Sequence, residues 1–269
     1  MDDAQIEISR AKVEQYRRSG YFAFQGAIGP QLLEGLQAAC DELVDGMESR
    51  IDGGEAPGAN RSGRRFLFGG AHGQSPALAS FAFGELMERV CRALLGDTAF
   101  LWRDLLLAKR DEGTPRFAWH QESGYIAADH PAFVSCLCAL DDIDRKNGAL
   151  YLLPLDRAAD LGRVDHLGSG SGYEGEETGV RLDMPAGSVA VFSSMVFHRV
   201  GANTTGRLRR TYLLQYSPEP LPGADGGKAG GYAVPFLDGG ERLPPPPIEE
   251  EDADGEEEDP GGADGDETP

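Results

Sequence analysis

Nowhere in this sequence do about 18 apolar residues run together, which excludes a helical membrane span of ordinary length. There is no stripe of lysine and arginine suited to displacing counterions from phosphates, so no nucleic-acid partner is expected either. The opening MDDAQIEISR is acidic and polar rather than basic and then apolar; no secretory signal is read there, and the cytoplasm is the expected location. Cysteine is scarce and forms no CxxC pair: Cys40, Cys91, Cys136 and Cys138 are all there are. Cys136 and Cys138 stand too close for an easy disulfide, so buried free thiols in a reducing compartment are expected. Histidine is nearly as scarce, with 5 in 269 residues, so any histidine set beside other metal-ligating side chains is informative.

What is abundant is acid, and it is unevenly placed. The net charge is −20. Residues 221–269 hold 15 Asp+Glu against 2 Lys+Arg, a balance of −13, while residues 1–220 hold 30 against 23, a balance of −7. The division predicts one folded domain over 1–220 and an acidic, Gly/Pro-rich tail over 221–269. That tail has too little apolar surface to order itself; a solubilising role or a contact with an unknown partner is open to it, with no motif behind either.

Within the first 220 residues the texture changes once. Helical spacing is read over 6–19, stopping at Gly20, and again after Pro30, where Leu32, Leu33, Leu36, Cys40, Leu43 and Met47 recur on one face. A third helix is expected over 75–96. From there on short apolar runs bounded by turn residues predict strands at 98–109, 132–140, 148–155, 187–194 and 208–217. Such a succession predicts an antiparallel β sandwich or barrel. The Gly-rich stretches at 52–63 and 168–179 read as loops able to act as lids. Arg61, Arg64 and Arg65 either meet an anionic substrate or form a solvated charge cluster.

The stretch FAWHQESGY (117–125) places Trp119, His120, Gln121 and Glu122 side by side. If it enters or edges a strand, side chains at i and i+2 share a face, so His120 and Glu122 converge while Gln121 turns away. An imidazole nitrogen and a carboxylate oxygen are two-thirds of a metal site. His198, just past an apolar strand, is the best candidate for the rest. Two histidines and one carboxylate with open coordination positions suit a non-haem iron(II) that activates O2. Each residue alone has an ordinary reading, as a packed imidazole or a solvated charge. A downstream arginine changes the balance. Oxygenases of this kind draw electrons from 2-oxoglutarate, whose distal carboxylate calls for a planar, two-pronged cation. Arg209 lies where a returning antiparallel strand could aim it into the same cavity; Arg207, on the same strand face, competes for the role.

Together these residues resemble the phytanoyl-CoA dioxygenase-like branch of the iron(II)/2-oxoglutarate oxygenases. Trp119-His120-Gln121-Glu122 is similar to that family's WHQD, with Glu in place of Asp. Asn147-Gly148-Ala149-Leu150 followed by Pro154 is similar to its NG-containing strand. His198 and Arg209 stand at the family's spacing, and residues 14–43 resemble its helix–strand–helix opening. The resemblance spans residues 10–218 or so. It implies a mainly β fold with flanking α, a double-stranded β-helix (jelly-roll, cupin-like) core with N-terminal helices. It implies that His120, Glu122 and His198 hold Fe(II), that Arg209 holds the C5 carboxylate of 2-oxoglutarate, and that O2 is the oxidant. Lys109 matches a lysine often found before WHQD, which implies a place facing cosubstrate or substrate, against the alternative of a surface lysine ending a strand. Tyr125 lines the pocket or merely covers the sheet.

The implied activity is that of a 2-oxoglutarate-dependent dioxygenase which hydroxylates a C–H bond of a small-molecule substrate and releases succinate and CO2. Three departures stand out. Glu122 adds a methylene where the family has Asp, Pro154-Leu155-Asp156-Arg157 replaces the usual PGSH, and Val200 stands where a polar residue is common. Halogenating relatives replace the carboxylate with Gly or Ala, so Glu122 favours hydroxylation. The rivals are a catalytically silent jelly-roll relative that binds a metabolite, and a zinc hydrolase on the same ligands. The spacing of His120 and Glu122 differs from the i,i+4 pairs of helical zinc proteases.

Overall fold

The computed structural model describes residues 6–52, 65–110, 118–158, 161–164, 178–222 and 233–248. Local chemistry sets the first elements. Ser9 caps helix α1 (Arg10–Ser19), accepting from the Lys12 N–H, and Gly20 ends it with φ 80. A Cβ at Gly20 would lie 2.4 Å from Val196, so glycine serves both the left-handed turn and the close approach. Strand β1 (Tyr21–Phe24), helix α2 (Pro30–Asp52) and strand β2 (Arg65–Gly69) follow. The single helix expected over 75–96 is two, α3 (Pro76–Ala82) and α4 (Glu85–Leu94). The chain breaks at Gly84, where a Cβ would sit 2.9 Å from the Ser80 carbonyl oxygen. The remaining strands are β3 (Ala99–Lys109), β4 (Val134–Ala139), β5 (Leu150–Leu153), β6 (Val180–Leu182), β7 (Val189–Ser193), β8 (Phe197–Val200), β9 (Arg209–Ser217), β10 (Val234–Asp238) and β11 (Glu241–Arg242).

These strands form two antiparallel sheets. The large one runs β1-β7-β4-β9-β3-β10-β11, with β2 also on β3; the small one runs β6-β5-β8. This is the jelly-roll arrangement, with the helices on the outer face of the large sheet. Period-two alternation explains how that sheet is covered on both sides. On β9, Tyr212, Leu214 and Tyr216 join the helix-side core, and on β4 Cys136 and Cys138 do the same. Leu137 on β4, Ala190 and Phe192 on β7, and Leu150 and Leu152 on β5 pack between the sheets. Asp104 is the one carboxylate on the helix side of β3. It accepts from the His72 backbone N–H and the Tyr212 hydroxyl, each at 2.8 Å, and bonds the His72 ring. All four cysteines are buried and free.

The domain boundary read at residue 220 is corrected by β10. Val234 and Leu237 pair with Leu101 and Ala99 of β3, and Phe236 is fully buried among the helix-side core residues. The sheet therefore takes in residues that the composition assigns to a disordered tail. Acid content dominates that composition, but VPFLD itself carries the apolar residues a sheet edge needs. Residues 223–232 and 249–269, together most of the expected tail, lie outside the described residues, as do most of the two expected lid loops together with Arg61 and Arg64. Among the described residues no helix is long and apolar enough to cross a membrane.

Candidate active site

The metal-ligating candidates meet where the two sheets face each other. His120 lies in a short antiparallel bridge with His198 of β8: the His120 N–H donates to the His198 carbonyl at 3.0 Å, and the His198 N–H to the His120 carbonyl at 2.8 Å. This reciprocal pairing sets the two rings side by side, 4.1 Å between centroids. Each ring directs Nδ1 at the carbonyl two residues before it, Ala118 for His120 and Val196 for His198, both at 3.1 Å. With each Nδ1 facing a carbonyl, both Nε2 atoms are turned toward the cluster, the orientation that metal-bound histidines need. After Gln121 the chain leaves the extended conformation and enters a 3-10 turn (Glu122–Tyr125). Glu122 therefore reaches the cluster from the head of a turn and not along a strand face, as the i,i+2 expectation had it. Its Oε1 lies 3.1 Å from His198 Nε2, and one ligand atom from each of His120, Glu122 and His198 falls within 4.8 Å of the others.

Burial by itself would raise the Glu122 carboxyl. The His198 hydrogen bond and the charges of both imidazoles outweigh it and bring the carboxyl from 4.5 down to about 2, so the group is an anion when it meets a cation. A folded-state value below the unfolded one contributes stability that is complete above about pH 4.5 and lost as pH falls through about 2. Metal-free wild-type protein is accordingly expected to lose stability more steeply than Glu122→Gln between those two pH values, as read by urea midpoints measured at half-unit intervals.

Gln121 does turn away, and it does more than stay out of the site. Its Nε2 donates to the carbonyls of Gly162 (3.0 Å) and Met195 (2.7 Å), and its Oε1 accepts from the Val164 N–H at 2.8 Å. Trp119, on the opposite side of His120, is fully buried, and the Arg199 guanidinium stacks 4.5 Å over its ring. The residues flanking each of these two histidines thus hold the bridge from behind.

Arg209 opens β9, directly across from Lys109 at the end of β3, which in turn faces Arg65 at the start of β2. Three cations stand in one cross-strand row, and all three line a cavity of about 480 Å³ that also contains His120, Glu122, Tyr125 and His198. Like charges directly opposite one another destabilise a sheet, so such a row, with Arg209 and Lys109 only 3% exposed, has the chemistry of an anion site. Arg209 Nη1 donates to the Gly148 carbonyl at 3.1 Å, which fixes the guanidinium. Gly148 has φ +102, and a Cβ on it would lie 2.7 Å from the Gly201 carbonyl oxygen and 3.6 Å from the Arg209 guanidinium carbon. Gly148→Ala should therefore destabilise the fold by about 2 kcal/mol or more and weaken anion binding at Arg209, measurable by thermal unfolding and by 2-oxoglutarate titration.

The structure separates the alternatives left open above. Arg207 is exposed in the turn between β8 and β9; its carbonyl accepts from Asn203 Nδ2 at 2.7 Å, and its place is structural. Lys109 is not a surface lysine. Tyr125 sits at the cavity rim, 38% exposed, with its ring 6.0 Å from that of His120. Burial and the Glu122 charge raise its phenol, opposed by Arg103 and Arg65.

The sequence pattern of the phytanoyl-CoA dioxygenase family matches residues 16–211. The chain belongs to that family. Membership carries iron(II)- and 2-oxoglutarate-dependent oxygenation, and the donor set described above fits such an ion. Solved structures support the fold over nearly the whole chain. EctD from S. alaskensis aligns with a TM-score of 0.64 at 19% identity, covering 90% of each chain. The non-heme monooxygenase ThoJ aligns at 0.63 and 19%, covering 88% of each. The alpha ketoglutarate dependent epimerase SnoN from nogalamycin biosynthesis aligns at 0.60 and 16%, covering 85% of this chain and 94% of its own. No curated protein matches significantly in sequence.

Two of this oxygenase's supporting residues are invisible to motif reading. Asn203 is buried, donates to the carbonyls of Lys109 and Arg207, and accepts from Thr205, so it shapes the turn that delivers Arg209. Gln215 is buried on the inner face of β9, donates to Ser135 at 3.2 Å and helps to keep the Glu122 carboxyl acidic. The GANTTG composition marks a turn, and a turn asparagine is its only signal; Gln215 has none.

Proposed function

We propose that this chain is a hydroxylase of a small-molecule C–H bond in which His120, Glu122 and His198 hold iron(II) and Arg209 grips the distal carboxylate of 2-oxoglutarate. The observation that carries it is the convergence of three ligand atoms within 4.8 Å and a buried guanidinium in one cavity. When bound, iron and 2-oxoglutarate supply the oxidation, in which the keto acid leaves as succinate and CO2 and the remaining oxygen atom of O2 becomes the product hydroxyl.

The protein's part is positional. Nδ1–H bonds to Ala118 and Val196 hold both imidazoles with Nε2 toward the ion. Gln215 and His198 hold the Glu122 carboxylate as an anion. Arg209, anchored on Gly148, offers its planar donors to the C5 carboxylate, and Lys109 adds a point charge beside it. Leu105, Leu107, Leu213 and Val200 give the rest of the cavity an apolar wall that excludes water from the reacting centre. Glu122 is present where a halogenase needs an open position, which supports hydroxylation. A zinc hydrolase would have no use for the buried Arg209–Lys109 pair.

Aerobic incubation with 2-oxoglutarate tests the reading. Succinate should form slowly without added substrate when iron(II) is supplied and not when zinc replaces it. Equal succinate with both metals, or none with either, would reject it.

A further inference from the structure

The cavity holds more positive charge than an iron site with its cosubstrate uses. Arg65, Arg103, Lys109 and Arg209, four cations, line it against Glu122 alone, a formal balance of +3 with the histidines counted neutral. Iron(II) adds two charges and the 2-oxoglutarate dianion removes two, so the same +3 faces whatever enters next. This stands inside a chain whose own net charge is −20, so the cavity is set apart from the rest of the surface by sign.

Register assigns these cations to two separate jobs. Arg209 and Lys109 face each other at one end of β3. Arg103 lies six positions earlier on the same strand, about 20 Å away at 3.3 Å per residue, too far to share the grip on one small keto acid. It pairs with Gln215 and lines the same cavity as His120, Glu122 and Tyr125. A β-bulge between Leu101 and Arg103 immediately precedes it, a device that re-aims a side chain beside an active site. Arg103 is exposed, and among the described residues it makes no ion pair. Leu105, Leu107, Phe192 and Leu213 form the wall below.

Building on the proposed hydroxylase reading, we propose that Arg103 recognises an anionic group, a carboxylate or its equivalent, on a primary substrate whose remaining body is apolar. Arg103 is thus a specificity residue and takes no part in holding the cosubstrate.

The test uses full-length protein under argon, loaded with iron(II) and saturating 2-oxoglutarate, and three probe pairs that differ only in charge. These are octanoate and octanamide, 4-phenylbutyrate and 4-phenylbutyramide, and N-acetylleucine and its amide, titrated by calorimetry. Wild type should bind the carboxylate of at least one pair tenfold or more tighter than its amide. In Arg103→Gln that ratio should fall below about twofold with the amide affinity unchanged, and Arg103→Lys should restore part of it. Equal affinities within every pair, binding by no probe, or a preference that survives Arg103→Gln would each overturn the inference. The visible absorption of the iron–2-oxoglutarate complex, recorded on the same wild-type sample, keeps the two readings apart. Its absence takes down the hydroxylase assignment as well, whereas its presence without a carboxylate preference takes down the Arg103 assignment alone.

Discussion

Arg209→Met is expected to raise the KM for 2-oxoglutarate by about 100-fold while changing iron affinity by less than about threefold. Two charge-assisted hydrogen bonds from a planar guanidinium contribute about 3 kcal/mol together, and 1.4 kcal/mol is tenfold in affinity. Arg209→Lys keeps a charge but loses the fork, so its KM should rise about tenfold. The variant chosen keeps an apolar stem of similar reach, and it removes one of three cations in the Arg65–Lys109–Arg209 row. Relief of that repulsion offsets the lost bond to Gly148, so unfolding free energy without ligand should stay within about 1 kcal/mol of wild type. A purely structural arginine would behave in the opposite way, losing stability and leaving KM alone. Steady-state kinetics and urea unfolding on the same preparations separate the two.

His198→Ala should lower iron-dependent turnover by more than about 10³-fold, beyond the 10- to 100-fold typical of residues that only support a ligand. Truncation leaves the backbone bridge to His120 in place, since both of its hydrogen bonds run between main-chain atoms. The fold is therefore expected to survive, with Glu122 losing its 3.1 Å partner and moving back toward its ordinary acidity. Gln121→Ala is the informative companion. It strips three hydrogen bonds from behind the site without removing a ligand. Its damage should appear mainly in thermal stability, with turnover reduced by no more than about 100-fold.

Sequence reading picked out residues that converge in one cavity because they are rare residue types at short spacings. His120 and Glu122 announce each other across two positions, and Arg209 follows His198 by a turn and half a strand, so the topology that joins them is short enough to foresee. The five long apolar runs became β3, β4, β5, β7 and β9 for a similar reason: each is covered on both faces, so its apolar content is high. What stayed hidden depends on distant partners. β8 has only four residues, Phe-His-Arg-Val, and reads as polar until β5 is laid beside it. β10 follows a glycine-rich stretch and precedes an acidic one, and only its pairing with β3 identifies it as a strand. Lys109 looked as much like a surface residue as a cavity one, because what buries it, Arg65 on one side and Arg209 on the other, comes from elements 44 and 100 positions away. The influence of Gln215 on Glu122 spans the chain in the same manner. The order of Glu122 in a 3-10 turn, and not on a strand, could not be read from period-two spacing at all.

Everything proposed for this protein depends on four side chains acting around one ferrous ion: His120, Glu122, His198 and, behind them, Arg209. Anaerobic titration of iron(II) into protein saturated with 2-oxoglutarate, followed by visible absorption, tests that most directly. The account predicts a weak charge-transfer band that saturates at one iron per chain and is lost in His120→Ala. A wild-type protein that gives no band, or a His120→Ala protein whose band is unchanged, would contradict it.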